Sequence, residues 1–162
     1  MRHGFALPVL TTTVITEWVD YNGHMNDAAY AIVFSRSVDA LLDKIGLEAR
    51  TREPASPTVY TMQAMLHYFR EAKEGEAVTV AAHVLEHDDK RIRIWLDMTD
   101  ASGERLAASE QLLLSIARGE GGPRAAPWTF ETKAALDALA RAQTGMPHPP
   151  EAGAGVAMRR KG

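Results

Sequence analysis

Residues 20–30 read Asp-Tyr-Asn-Gly-His-Met-Asn-Asp-Ala-Ala-Tyr, and no other stretch of the chain gathers so many chemically capable side chains. Asp20, Asn22 and His24 occupy alternate positions, which in an extended segment turns all three side chains to one side. Gly23 lets the backbone bend sharply or approach a ligand closely, and Asn26 or Asp27 can cap a helix that starts directly afterwards. A carboxylate, an amide and an imidazole would then stand beside free helix N-terminal amides. Such a group can split an acyl compound, the amides stabilising an oxyanion while the carboxylate or imidazole handles a water. The competing reading is an ordinary surface turn entering a helix, since Asp, Asn and Gly are also turn residues. Asn26 is assigned to the helix cap rather than to chemistry. The spacing contains neither a second His nor a helical ligand pair, so no metal is expected.

The elements that must hold these residues follow from periodicity. Residues 9–18 are rich in Val, Ile and Thr and predict a first strand leading into the motif. Beyond it, Tyr30, Phe34, Val38, Leu41 and Ile45 recur every three or four residues with charges between them, and Gly46 ends the run. That predicts an amphipathic helix of about five turns. Residues 48–57, with two prolines, predict a loop. Four strand-like runs follow. Tyr60, Met62, Ala64, Leu66 and Tyr68 share one face of the first; Val78, Val80, Ala82 and Val84 mark the next. Ile92, Ile94, Leu96 and Met98 mark the third, and Leu106, Ala108, Leu112, Leu114 and Ile116 the last. Residues 119–127 read as a Gly/Pro linker, residues 132–143 as a short helix that covers a sheet edge or a subunit contact, and residues 147–155 as irregular.

One strand, one long helix and an antiparallel meander make an α+β architecture with the helix stripe buried against a curved sheet. The 162 residues suit one domain, with 46% hydrophobic and 24% charged residues. A net charge of −3 provides no footprint for nucleic acid, and the basic end at Arg159, Arg160 and Lys161 reads as a solvated tail. The chain has no cysteine, which excludes disulfides and a Cys nucleophile and suits a reducing compartment. No apolar run is long enough for a membrane span, so the expected location is the cytoplasm.

Glu110 is a second oddity, falling in phase with Leu106, Ala108, Leu112 and Leu114 on an apolar face. It either marks where the last strand crosses the active cleft or is turned to solvent by a β-bulge near Ser109. His67 and His83, inside strands, read as solvated or locally satisfied.

The motif resembles the signature of hotdog-fold thioesterases, the 4-hydroxybenzoyl-CoA thioesterase-like superfamily, in which an Asp and a short Gly-His turn precede the long central helix. Plant acyl-carrier-protein thioesterases carry a comparable Asp, Asn and His at the spacing of Asp20, Asn22 and His24. The element order agrees over residues 10–117, and Tyr68-Phe69-Arg70-Glu71-Ala72-Lys73-Glu74-Gly75 resembles the family's second strand and closing turn. The resemblance implies a hotdog domain over residues 1–118, with residues 119–162 a linker, helix and tail of the same domain. It also implies an acyl-CoA thioesterase that needs no cofactor and assembles as a homodimer or homotetramer. Asp20 would be nucleophile or general base, Asn22 would orient the water or the carboxylate, and His24 would donate to the thioester carbonyl or tune Asp20. Lys90, Arg91 and Arg70 are candidate CoA phosphate contacts.

The DYNGHMND motif, the DDKR turn, the ERLAASEQLLL strand and the late Pro/Ala/Gly tail further resemble thioesterases of carnitine breakdown, including domains fused to carnitine dehydrogenases. Those hydrolyse betainyl-CoA, whose trimethylammonium group suits an aromatic box. Trp18, Tyr21 and Tyr60 are then the expected substrate-binding aromatics, joined by Glu110 at the cleft. The alternatives are an acyl-carrier-protein thioesterase, a non-catalytic acyl-binding hotdog module and a hotdog hydratase. The Asp, Asn and His together speak against the module, and the helix lacks the Asp/His arrangement of the hydratase.

Overall fold

The computed structural model describes residues 5–47 and 57–158. Most of the expected loop at 48–57 and the basic end at 159–162 lie outside the described residues.

The central helix α1 spans Asp27–Lys44, with Tyr30, Phe34, Val38 and Leu41 buried as the stripe predicts. Ser37 interrupts the apolar face without leaving a polar group unsatisfied, because its hydroxyl donates to the Val33 carbonyl over 2.8 Å. Asn26 caps the start, accepting from the Ala28 N–H, and Gly46 leaves the helix at φ +83°, a conformation that glycine adopts without strain.

The strands are β1 (Leu7–Thr13), β2 (Thr58–Tyr68), β3 (Ala77–His87), β4 (Arg91–Asp100), β5 (Arg105–Gly119) and β6 (Gly122–Ala125). They form one antiparallel sheet ordered β1-β3-β4-β5-β2, with β6 paired to β5. The chain therefore leaves one sheet edge, runs through α1 and returns at the opposite edge as β2. Val78, Val80, Ala82 and Val84 of β3 and Ile92, Ile94, Leu96 and Met98 of β4 pack against the buried side of α1 in one core. This is the hotdog arrangement of a curved sheet around a helix.

Four local expectations are corrected. The first strand ends at Thr13 and is followed by a 3₁₀ turn at Thr16–Trp18. The presumed linker after β5 instead turns back as β6. In β5, Met98 pairs with Ala107 and Thr99 with Arg105, so Leu106 is an inserted residue and reverses the alternation beyond it. Ala107 and Leu113 consequently join Leu106 in the core against α1, while Ala108 faces away and packs with Leu85 and Trp95. In β2, Thr61 pairs with Leu113 and Gln63 with Leu112, making Met62 the inserted residue. Tyr60 thus shares the outer face with its partner Leu114, whereas Ala64 and Leu66 face the α1 side.

The C-terminal region covers both faces. Helix α2 (Phe130–Ala142) inserts Leu136 into the α1 core, where its burial contributes about 2 kcal/mol. It is thus part of the core rather than an edge cover. Just beyond α2, Gln143 clamps β3, its Oε1 accepting from the Val84 N–H at 2.9 Å and its Nε2 donating to the Ala82 carbonyl at 2.8 Å. Residues 146–155 then cross the outer face of the sheet. Ala152 packs on the cluster of Leu85, Trp95 and Ala108, and Glu151 pairs with Arg105 at 3.2 Å. His83, expected to be solvated or locally satisfied, is 5% exposed there and meets His148 edge-on at 5.7 Å.

Candidate active site

The motif is a tight hairpin rather than an extended segment. The Asp20 N–H donates to the His24 carbonyl at 3.0 Å, and the Gly23 N–H donates to the Asp20 carbonyl at 3.0 Å. Val19 and Met25 bridge below, and Gly23 sits at φ +78°. This is a three-residue loop closed by a left-handed glycine, so residues 20 and 24 stand opposite each other while Tyr21 and Asn22 form the exposed tip. Asp20 Oδ1 accepts the Asn22 N–H at 2.8 Å, an Asx turn that orients the carboxylate. The structure therefore brings Asp20 and His24 together through the turn, and Asn22 joins them through its backbone.

Three contacts fix this hairpin to the rest of the fold. The Asn26 N–H donates to the Trp18 carbonyl at 2.8 Å, the Met25 N–H donates to the Ala72 carbonyl at 2.7 Å, and His24 bridges to Lys73. The segment 70–73 that receives it is itself held by Tyr30 of α1. The Tyr30 hydroxyl accepts the Ala72 N–H at 3.0 Å and donates to the Arg70 carbonyl at 3.4 Å. Burial raises the Tyr30 phenol above its ordinary value, against the lowering effect of the Ala72 hydrogen bond. It stays protonated and donating.

Glu71 lies on this segment, and its Oε2 is 3.3 Å from His24 Nε2. Sequence reasoning missed it as a site residue, although it lies in the Tyr68–Gly75 run that resembles the family's second strand and closing turn. The only usable signal was an acidic residue at the end of the strand after the helix. At the helix start, Asn26 Oδ1 and Asp27 Oδ1 each accept the Ala28 N–H at 2.9 Å, so the first turn is partly capped by its own side chains rather than fully free. The Asp27 N–H has no acceptor among the described residues.

The four expected substrate contacts are dispersed. Trp18 is 6% exposed, with the Arg36 guanidinium 5.2 Å from its ring centroid. Tyr21 is at the open tip of the hairpin, and Tyr60 is on the outer sheet face. Glu110 also lies on that outer face. Its Oε1 accepts from Arg93 Nε at 2.6 Å, and its Oε2 accepts the Gly153 N–H at 2.7 Å. The bulge expected at Ser109 is absent, because the register runs unbroken from Ala107 to Leu114. Arg93 and the tail hold this carboxylate, and Glu110, Arg93 and Gly153 together line a cavity of about 890 Å³ on this face. Of the candidate phosphate contacts, Arg91 is paired with Asp88 at 2.6 Å and Arg70 with Glu104, while Lys90 is at the exposed β3–β4 turn.

A groove of about 350 Å³ runs between α1 and β2, lined by Phe34, Val38, Leu42, Val59, Leu66 and Gln111 among others. It opens beside the sheet edge formed by β2.

Comparison with known proteins agrees with this fold. A family model described as the thioesterase-like superfamily matches residues 14–139. The chain is 42% identical over 144 residues to a betainyl-CoA thioesterase of Pseudomonas aeruginosa, covering 88% of this chain and 89% of that one. It is 37% identical over 139 residues to an L-carnitine dehydrogenase/betainyl-CoA thioesterase of Agrobacterium fabrum, covering 86% of this chain but 28% of that longer protein. Among solved structures, a Pseudomonas putida protein described as a thioesterase superposes with a TM-score of 0.81 at 36% identity, over 96% of this chain and 99% of that one. A Staphylococcus aureus protein solved with CoA shares the fold, with a TM-score of 0.87 at 24% identity over 98% and 99% of the two chains. With the family model matched over residues 14–139 and the Pseudomonas aeruginosa relative matched over 89% of its length, the chain belongs to the thioesterase-like superfamily and is a hotdog-fold thioester hydrolase.

Proposed function

We propose that this thioester hydrolase cleaves betainyl-CoA to betaine and CoA, with Asp20, His24 and Asn22 at its centre. The observation that carries the substrate is the 42% identity, over 88% of this chain, to the Pseudomonas aeruginosa betainyl-CoA thioesterase. The hairpin supports the residue roles. Asp20 Oδ1 is held by the Asn22 N–H, which leaves Oδ2 to attack the carbonyl carbon or to take a proton from water. Asn22 thereby orients the carboxylate. Glu71 accepts from His24 Nε2 and leaves Nδ1 to serve the reaction, and the Asp27 N–H is the helix-start donor available to the oxyanion.

The working unit in this reading is a homodimer or a pair of dimers. β2 is an 11-residue sheet edge, TVYTMQAMLHY, with neither Pro nor an acidic or Lys/Arg residue, and Tyr60, Met62 and Tyr68 are exposed along it. An edge so long and uncharged is a template for another strand. A second β2 across a two-fold axis would satisfy it and close the groove beside α1. The work is done in the cytoplasm, which the cysteine-free composition suits.

The test is a panel of acyl-CoAs with detection of the released thiol, in which betainyl-CoA has the highest kcat/KM. A flat panel, or a preference for an uncharged acyl group, rejects the substrate. Turnover of acyl-carrier-protein thioesters but not of CoA thioesters would support the carrier-protein alternative.

A further inference from the structure

The cation of a betainyl thioester lies one methylene away from the reacting carbonyl, so its nitrogen is roughly 2.5 Å from the carbonyl carbon. An aromatic ring that recognises a quaternary ammonium must come within about 6 Å of it. Given the betainyl-CoA reading above, on which this inference rests, the ring must therefore border the segment from Asp20 to the start of α1. That distance limit removes two of the aromatics expected from the sequence. Tyr60 is on the opposite face of the sheet, and the ring of buried Trp18 already carries Arg36. Tyr21 borders the segment but is 97% exposed at the hairpin tip, a position that does not hold a ring against a substrate.

Tyr68, the last residue of β2, meets the requirement. It pairs with Ala107, a residue of the core against α1, and so lies on the helix side of the sheet. Its hydroxyl donates to the Asp27 carbonyl at 3.2 Å, which ties the ring to the first residue of α1. Tyr30 packs edge-on against it, with centroids 5.3 Å apart and planes at 83°. The same Tyr30 holds the segment that carries Glu71 to His24. Tyr68 is nonetheless 52% exposed. A ring fixed at two points beside the catalytic hairpin, with half its surface open, is pre-organised for a ligand. Burial and the Asp27 carboxylate raise its phenol above the ordinary value, so the ring is neutral and keeps its donor. That carboxylate also favours a cation over an anion at this place.

We propose that Tyr68 is the specificity-determining aromatic of this enzyme, the ring against which the trimethylammonium group of the substrate rests.

The experiment compares betainyl-CoA with 3,3-dimethylbutyryl-CoA, in which carbon replaces the charged nitrogen at nearly the same shape, and reads the ratio of the two kcat/KM values. The wild-type enzyme should favour the cation by about tenfold or more. Tyr68→Phe keeps the ring and should retain that ratio within about threefold, whereas Tyr68→Leu should bring it close to unity. Where the Leu variant fails to fold, phenylalanine analogues of increasing fluorination at position 68 replace it. Fluorine drains the ring face without changing its outline, and the ratio should fall stepwise along the series. A preserved ratio in Tyr68→Leu, or a flat fluorination series, overturns the assignment of Tyr68 while leaving betainyl-CoA as substrate. A wild-type ratio near unity rejects the betainyl reading itself, and the role of Tyr68 with it.

Discussion

His24 Nε2 stands 3.3 Å from Glu71 Oε2, which joins the motif hairpin to the segment between β2 and β3. The pairing is not left to the two side chains alone. The backbone bridge from His24 to Lys73 and the hydrogen bond from the Met25 N–H to the Ala72 carbonyl bring the two segments into register first. Glu71 is 72% exposed, so its attraction for the imidazole is screened and its effect is one of orientation. Glu71→Gln is expected to lower kcat by about tenfold with KM little changed, a smaller loss than removal of a general base gives. Steady-state kinetics check this, and a rise in KM with unchanged kcat would assign Glu71 to substrate binding instead.

Asp20→Asn removes the proton-accepting or attacking oxygen but keeps an acceptor for the Asn22 N–H. The hairpin should persist and the melting temperature should stay close to that of the wild type, while turnover falls on the order of a hundredfold or more. Near wild-type turnover would exclude Asp20 from the chemistry.

Glu110→Gln separates the outer face from the active site. The largely buried pair with Arg93 loses its charge, and among the described residues Arg93 keeps Glu86 at 3.5 Å as its acidic partner. A loss on the order of 1–3 kcal/mol is expected in denaturant unfolding, the usual range for a hydrogen bond to a charged group. Initial rates at saturating substrate should stay within about twofold of wild type if the chemistry is confined to the Asp20 hairpin, and a larger fall would assign the outer-face cavity a part in catalysis.

The tail contact predicts a pH dependence of stability. Burial, then the neighbouring His148, hold His83 below the ordinary histidine value, with Asp97 acting the other way. The folded protein thus binds that proton less readily than the unfolded chain, and stability present above about pH 6.5 declines as pH falls through that value. Burial raises Glu151, but the Arg105 hydrogen bond and the other favourable contacts prevail and its carboxyl ends below its ordinary value. Its contribution is present above about pH 4.3 and is lost as pH falls further. Melting temperature should therefore decline in two stages on acidification, and His83→Gln should flatten the upper one. A single stage that is unaffected by this substitution would remove His83 from the explanation.

The exposed edge predicts an assembly. Replacing Tyr60 and Met62 of β2 by Lys places like charges along the strand that a second copy would pair with. Light scattering should show the wild type at two or four times the chain mass and the double variant at half that mass or less. A wild-type monomer, or an unchanged dimer in the variant, would rule out pairing through β2.

Much of this enzyme is written in local patterns. The DYNGHMND run encodes a turn, a cap and a helix start because each depends on backbone conformations that Asp, Asn and Gly adopt within a few residues. The spacing of Tyr30, Phe34, Val38 and Leu41 encodes α1 because one face must be buried. The alternation in β3 and β4 survives intact in the core for the same reason. Tertiary structure decided what a local pattern cannot carry. Single inserted residues at Met62 and Leu106 moved Tyr60 and Glu110 to the outer face, since a bulge is defined by the partner strand and not by its own sequence. Glu110 found Arg93, seventeen positions away, and Gly153 of the tail, which made the carboxylate a clasp at the wall of the outer-face cavity. The tail also hid Trp95, and His24 acquired Glu71 across a separation of forty-seven residues. Such pairings form only when distant segments close on one another, so no spacing within the chain announces them.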